Sequence, residues 1–98
     1  MFLHCVYYWM KPMSESEREL FTSEIMKLTK LASVKHGWFG KPAATDRPVI
    51  DRSYDYALVV DVGDAAGHDA WQTDPGHLAV RNVVGGMWDR ILIYDVEG

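Results

Sequence analysis

The sequence predicts an α+β domain in the order β-α-β-β-α-β, with four antiparallel strands and the helices on one face of the sheet. Three observations predict it. Residues 2–9, 34–41, 53–62 and 87–96 read as strands, with apolar or alternating patterns. Residues 15–32 and 63–84 carry helix-start signals and helical spacing, and they fall between the strands. At 98 residues and 48% hydrophobic content, the chain can bury one core and not two, so residues 1–98 form a single domain.

The first strand, Phe2 to Trp9, is apolar at nearly every position. Phe2, His4, Val6 and Tyr8 share one face; Leu3, Cys5, Tyr7 and Trp9 share the other. Lys11-Pro12 ends it, and Ser14-Glu15-Ser16-Glu17 has the form of a capping box, with Glu17 returning to Ser14. Leu20, Phe21, Ile25, Leu28, Leu31 and Ala32 follow at helical spacing, which predicts one amphipathic helix over 15–32.

Val34 to Lys41 is the second strand, and residues 42–52, with two prolines, connect it to the third. There Tyr54, Tyr56, Leu58, Val60 and Val62 alternate with Asp55, Ala57, Val59 and Asp61. Gly63-Asp64 starts the second helix, which should break at Asp74-Pro75: proline lacks an amide and clashes with the preceding turn. Asp74 suits an N-cap and Pro75 a first helical position, so the helix resumes to about Val84, where Gly85-Gly86 stops it. Met87 to Val96 is the last strand, apolar on both faces through Ile91-Leu92-Ile93-Tyr94.

This order is the ferredoxin-like arrangement. Its helices cover one face of the sheet, and a solvated second face should alternate with polar residues. The first and last strands do not alternate. Leu3, Tyr7, Trp9 and their neighbours therefore need a second cover, and a homodimer joined through the open sheet face supplies it.

Composition excludes several functions. Net charge is −4, which argues against nucleic acid or an anionic membrane as partner. Gly37-Trp38-Phe39-Gly40 lies on the second strand and lacks the order of an RNA-binding motif. Apolar runs are strand-sized, short of a membrane helix. Met1–His4 enters a strand without a basic leader, and the single cysteine forms no internal disulfide, so a cytoplasmic protein is expected. Cys5, inside an apolar strand, reads as a structural thiol. The four histidines lack zinc-site spacing and no phosphate loop is present, so neither a metal ligand nor a cofactor is expected. His36 and His68 read as solvent-facing.

The chemistry points to residues 71–78. His77 falls in the opening turn of the resumed helix, where the dipole disfavours an imidazolium. A neutral imidazole can act as general base or bind a ligand. His4 and Tyr56, on one face of neighbouring strands, are placed to converge with it, and Trp71 serves as a core or cavity-wall aromatic.

The chain resembles the stress-responsive A/B barrel (Dabb) domain of the dimeric α/β barrel superfamily. The resemblance rests on the opening strand with His4, Gly40-Lys41, Ser53-Tyr54-Asp55-Tyr56-Ala57-Leu58-Val59, Trp71 through His77, and Trp88 with Ile91 to Asp95. It implies a dimeric α/β barrel and a cavity lined by His4, Val6, Tyr8, Phe21, Tyr56, Leu58, Trp71, His77, Ile91 and Ile93. A plant polyketide cyclase of this family performs cofactor-free aldol chemistry; the resemblance puts its catalytic histidine at His77 and its tyrosine partner at Trp71. Tyr56 stands where the family commonly has histidine. Some relatives hold magnesium on main-chain carbonyls, which would fall near Leu28, Leu31 and Val34. The function implied is a homodimer of unassigned biochemical role with a small apolar ligand-binding cavity, suited to a small carbonyl or aromatic compound. Two alternatives stand beside it: a cofactor-independent enzyme, cyclase-like or monooxygenase-like, with His77 as general base, and a non-catalytic stress-protective protein.

Overall fold

The computed structural model describes residues 1–98. Its elements are β1 (Phe2–Met10), α1 (Glu15–Leu28), β2 (His36–Gly40), β3 (Tyr56–Asp61), α2 (Ala65–Thr73), α3 (Pro75–Val84) and β4 (Trp88–Glu97). The strands form one antiparallel sheet in the order β2-β3-β1-β4, the ferredoxin-like α+β arrangement. No helix is long and apolar enough to cross a membrane.

β1 is central, pairing with β3 from Leu3↔Asp61 to Tyr8↔Tyr56 and with β4 from Phe2↔Glu97 to Met10↔Trp88. Period-two alternation puts Phe2, His4, Val6 and Tyr8 under the helices, beside Tyr56, Leu58 and Val60 of β3. Phe21, Ile25 and Leu28 of α1, Trp71 of α2, and Val80 and Val84 of α3 close the core from above. Burial fades across the sheet. Ile91 and Ile93 face the same side as Tyr8 and Val6 yet remain 39% and 45% exposed, because the helices do not extend over β4.

Each helix start is built by a side chain. Ser14 Oγ accepts from Glu17 N–H at 3.2 Å, and Glu17 Oε1 accepts from Ser14 N–H at 3.0 Å, completing the capping box. Asp64 caps α2 through Gly67 N–H at 2.8 Å. Asp74 closes α2 and opens α3, accepting from Gly76 N–H at 2.7 Å, with Pro75 in the first turn. The expected break is there.

Three elements are shorter than expected. α1 ends at Leu28, not residue 32, because Thr29 Oγ1 donates to the Met26 carbonyl at 2.6 Å and the chain turns. β2 spans only His36–Gly40, and β3 starts at Tyr56. Tyr54, expected beside Tyr56, instead packs its ring edge-on to Tyr7 on the open face, with centroids 5.0 Å apart. A second difference concerns Leu20, which sits on the solvent side of α1.

Candidate functional site

A cavity of about 440 Å³ lies between the helices and the β1–β4 half of the sheet. It exists where burial fades: α1 and α3 roof it, β1 floors it, and β4 forms its open side. Ten of its fourteen lining residues are hydrophobic, so it suits a mostly apolar guest steered by a few polar groups.

Those polar groups gather around Trp71. The His4 ring centroid is 5.0 Å from that of Trp71, and His77 meets the same indole edge-on at 4.5 Å. Trp71 is 2% exposed, and its indole N–H donates to the Leu28 carbonyl at 3.0 Å. Its one donor is thus spent on joining α2 to the end of α1. Trp71 shapes the wall and has nothing left to donate to a ligand.

His77 is the third residue of α3, its N–H bonded to the Asp74 carbonyl at 3.0 Å. Burial lowers its pKa below the ordinary histidine value, assisted by Arg81 one turn along and by His4, against a smaller opposing pull from Asp74. It is therefore neutral at pH 7 and able to accept a proton.

His4 lies deeper, 3% exposed, with Nδ1 2.5 Å from Asp95 Oδ1. Burial lowers its pKa; the hydrogen bond and charge of Asp95 push the other way and do not prevail. In the neutral tautomer that donates Nδ1–H to Asp95, Nε2 carries the lone pair. Such a carboxylate-oriented imidazole is a proton acceptor held in one orientation. Tyr8 lines the same cavity, and burial pushes its phenol pKa up, so it remains a neutral hydroxyl.

Seven of the ten residues expected to line this cavity do so: His4, Val6, Tyr8, Trp71, His77, Ile91 and Ile93. Phe21 and Leu58 do not, because both are 0% exposed within the core under α1. Tyr56 is also displaced. Its ring stacks on Phe39, its hydroxyl accepts from Arg18 Nη1 at 3.0 Å, and it borders a separate polar groove with Glu19 and Lys41. β1 separates β3 from the β4 side, so Tyr56 does not meet His77.

Other residues join the site without having been expected. Asp95 is the cross-strand partner of His4 and follows Ile91 and Ile93 in period two, so strand parity carried the signal. Gln72 and Arg81 line the cavity, and Arg81 lies four residues after His77, at helical spacing. His68, expected to face solvent, instead packs against Phe2 and His4 at 5.0 Å from each ring, with Nε2 3.8 Å from Asp95 Oδ2.

Two oxygens of the carbonyl set suggested for magnesium already accept hydrogen bonds within the chain. The Leu28 carbonyl takes the Trp71 indole N–H, and the Leu31 carbonyl takes the Val34 N–H at 2.9 Å. These hydrogen bonds help to complete the turn after α1. Cys5 is a buried thiol whose pKa burial raises, in keeping with a structural part.

Comparison with known proteins agrees on the fold. No protein of curated function matches the sequence. Among solved structures, a dimeric ferredoxin-like protein of unknown function from Thermobifida fusca YX is 20% identical with a TM-score of 0.79, covering 99% of this chain and 90% of that one. A Dabb family protein from Mesorhizobium loti is 21% identical with a TM-score of 0.76, covering 99% and 95%. A hydroxynitrile lyase from Passiflora edulis is 16% identical with a TM-score of 0.77, covering 97% and 90%. The family model for the stress responsive A/B barrel domain matches residues 2–98. With that match over almost the whole length, the chain belongs to the stress responsive A/B barrel, or Dabb, family.

Proposed function

We propose that the cavity binds a small, mostly apolar compound carrying a carbonyl or aromatic group, and that the chain acts as a homodimer joined through the open sheet face. The observation that carries the ligand reading is the convergence of His4, Trp71 and His77 on one cavity wall. An aromatic guest finds apolar walls, and a carbonyl oxygen finds Arg81 and the single N–H of neutral His77 as donors. The dimer reading rests on Tyr94, Trp38 and Val96, which stand 59%, 56% and 47% exposed on the open face. Removing several such residues from water yields roughly 1.5–3 kcal/mol each before the cost of association. The relatives from Thermobifida fusca and Jannaschia are described as dimeric. A single cysteine suits the reducing cytoplasm.

The His4–Asp95 pair favours a second, more specific reading: cofactor-independent proton transfer on that carbonyl compound. Two neutral imidazoles face one cavity, and one is oriented by a carboxylate. His77 is the general base in this reading, and Arg81 stabilises the developing oxyanion. Trp71 stands where the resembling cyclase has tyrosine and offers no hydroxyl, so the chemistry differs from that enzyme's.

The test uses benzaldehyde and acetophenone as probes, read by saturation-transfer NMR against the full chain. Saturable binding that disappears in Ile93→Trp, which fills the cavity mouth, supports the reading. Absence of binding, or binding that Ile93→Trp leaves unchanged, sinks it.

A further inference from the structure

Three potential metal ligands meet beside the cavity from three elements distant in sequence: His4 on β1, His68 on α2 and Asp95 on β4. His4 Nδ1 is 2.5 Å from Asp95 Oδ1, His68 Nε2 is 3.8 Å from Asp95 Oδ2, and all three ligand atoms lie within 4.8 Å of one another. An ion about 2.0–2.2 Å from each of three donors sets them roughly 3–3.5 Å apart. The two closer separations fall on either side of that range, so modest rotations of Asp95 and His68 complete the geometry. Both side chains have room to rotate, being partly exposed at the sheet edge and on the helix surface.

We propose that His4, His68 and Asp95 form a binding site for a divalent transition-metal ion such as zinc. The donor set decides the class of ion. Two imidazole nitrogens and one carboxylate suit zinc, cobalt, nickel or ferrous iron, whereas magnesium and calcium require oxygen ligands. The surroundings fit as well. His68 Nδ1 lies 3.6 Å from Asp69 Oδ1, beyond hydrogen-bond reach, and a small turn of that exposed carboxylate would place it behind the ligating histidine. Phe2 packs at 5.0 Å against the same ring and gives the site an apolar flank. His4 closes the site on the core side, while Asp95 and His68 leave the solvent side open for a water ligand. Gln72 Nε2 lies 3.4 Å from His68 Nε2, so its amide can turn its oxygen toward that water.

The site stands independently of the ligand reading and adds a consequence to it. With Nδ1 on the ion, a neutral His4 must carry its proton on Nε2. Metal occupancy therefore turns His4 from a proton acceptor into a hydrogen-bond donor toward the cavity.

The experiment uses the tag-free full chain, stripped with EDTA and dialysed. Zinc chloride is titrated by calorimetry, and cobalt(II) chloride by visible absorption, which reports the ligand field directly. The expected result is saturable uptake of one ion per chain. His68→Ala and Asp95→Asn should each weaken it by about tenfold or more and remove the cobalt bands. His36→Ala, at the far end of the sheet, should leave both readouts unchanged. The site is overturned by no saturable uptake, or by uptake that persists at full affinity in both His68→Ala and Asp95→Asn. Loss of uptake in His36→Ala also overturns it, by assigning binding to a surface histidine.

Discussion

His4 and Asp95 stand directly opposite each other on the β1–β4 ladder, and the side chain of one orients the other at 2.5 Å. Asp95 opposes the lowering of the His4 pKa that burial causes. Replacing it with asparagine removes the charge and leaves the burial. In Asp95→Asn, His4 should therefore titrate at lower pH than in the wild type. NMR titration of the imidazole Cε1 protons measures this, and an unchanged or higher value would refute it.

Stability should decline in acid through His4 and His77. Both have folded-state pKa values below the ordinary 6.5. Below about pH 6.5 the unfolded chain takes up protons that the folded chain resists, so the unfolded state gains. Their contribution is whole above that pH and is lost as pH falls through the lowered folded values. Urea midpoints at about pH 8 and about pH 5 should show the decline, and His77→Gln should show a smaller one.

Asp74 closes one helix and opens the next, so Asp74→Ala should cost more than a surface substitution. Loss of an N-cap costs about 1 kcal/mol, which lowers the melting temperature of a domain this size by roughly 4–8 °C. A calorimetric scan reads it directly. A change within about 1 °C would mean the cap contributes little to this helix pair.

Gly67 is required by close approach. A Cβ there would stand 1.9 Å from the Val62 carbonyl oxygen, which is backbone and cannot swing aside. Gly67→Ala should destabilise by about 1–3 kcal/mol. Gly86→Ala meets nothing within 4 Å and should stay within roughly 0.5 kcal/mol of wild type. Equal melting curves for the two variants would contradict this account.

Tyr94→Glu tests the dimer without touching the core, since Tyr94 is largely exposed on the open face. Burying a carboxylate without a partner there is costly. Sedimentation should show the wild type as a dimer at micromolar concentration and the variant as a monomer. A monomeric wild type would end the dimer reading.

The elements were legible because their signals are local. Ser14 and Glu17 mark a helix start within four residues, and Asp74-Pro75 marks a break within two. The face assignment of β1 was legible for the same reason, since period two needs only one strand. The end of α1 was not, because Leu31 and Ala32 keep helical spacing while Thr29 diverts the chain with a side-chain hydrogen bond. The site was legible where residues shared one element, as Trp71 and His77 nearly do. It was not legible where neighbours are set by sheet order. Tyr56 has the right face but sits on the wrong side of β1, and its hydroxyl is held by Arg18. His68 looks like a surface residue until α2 lays it against Phe2 and His4. Asp95 reads as the polar end of an edge strand until register places it across from His4.

The fading of burial from β1 to β4 has an evolutionary consequence. Ile91 and Ile93 face the cavity yet remain partly wet, so exchanging them perturbs folding far less than exchanging His4 or Trp71 in the core. Mutational drift can thus reshape the mouth of the cavity while its inner wall stays constant. A lineage built on this scaffold can change the shape of that mouth without first acquiring compensating stability, and its diversity should concentrate along one edge strand.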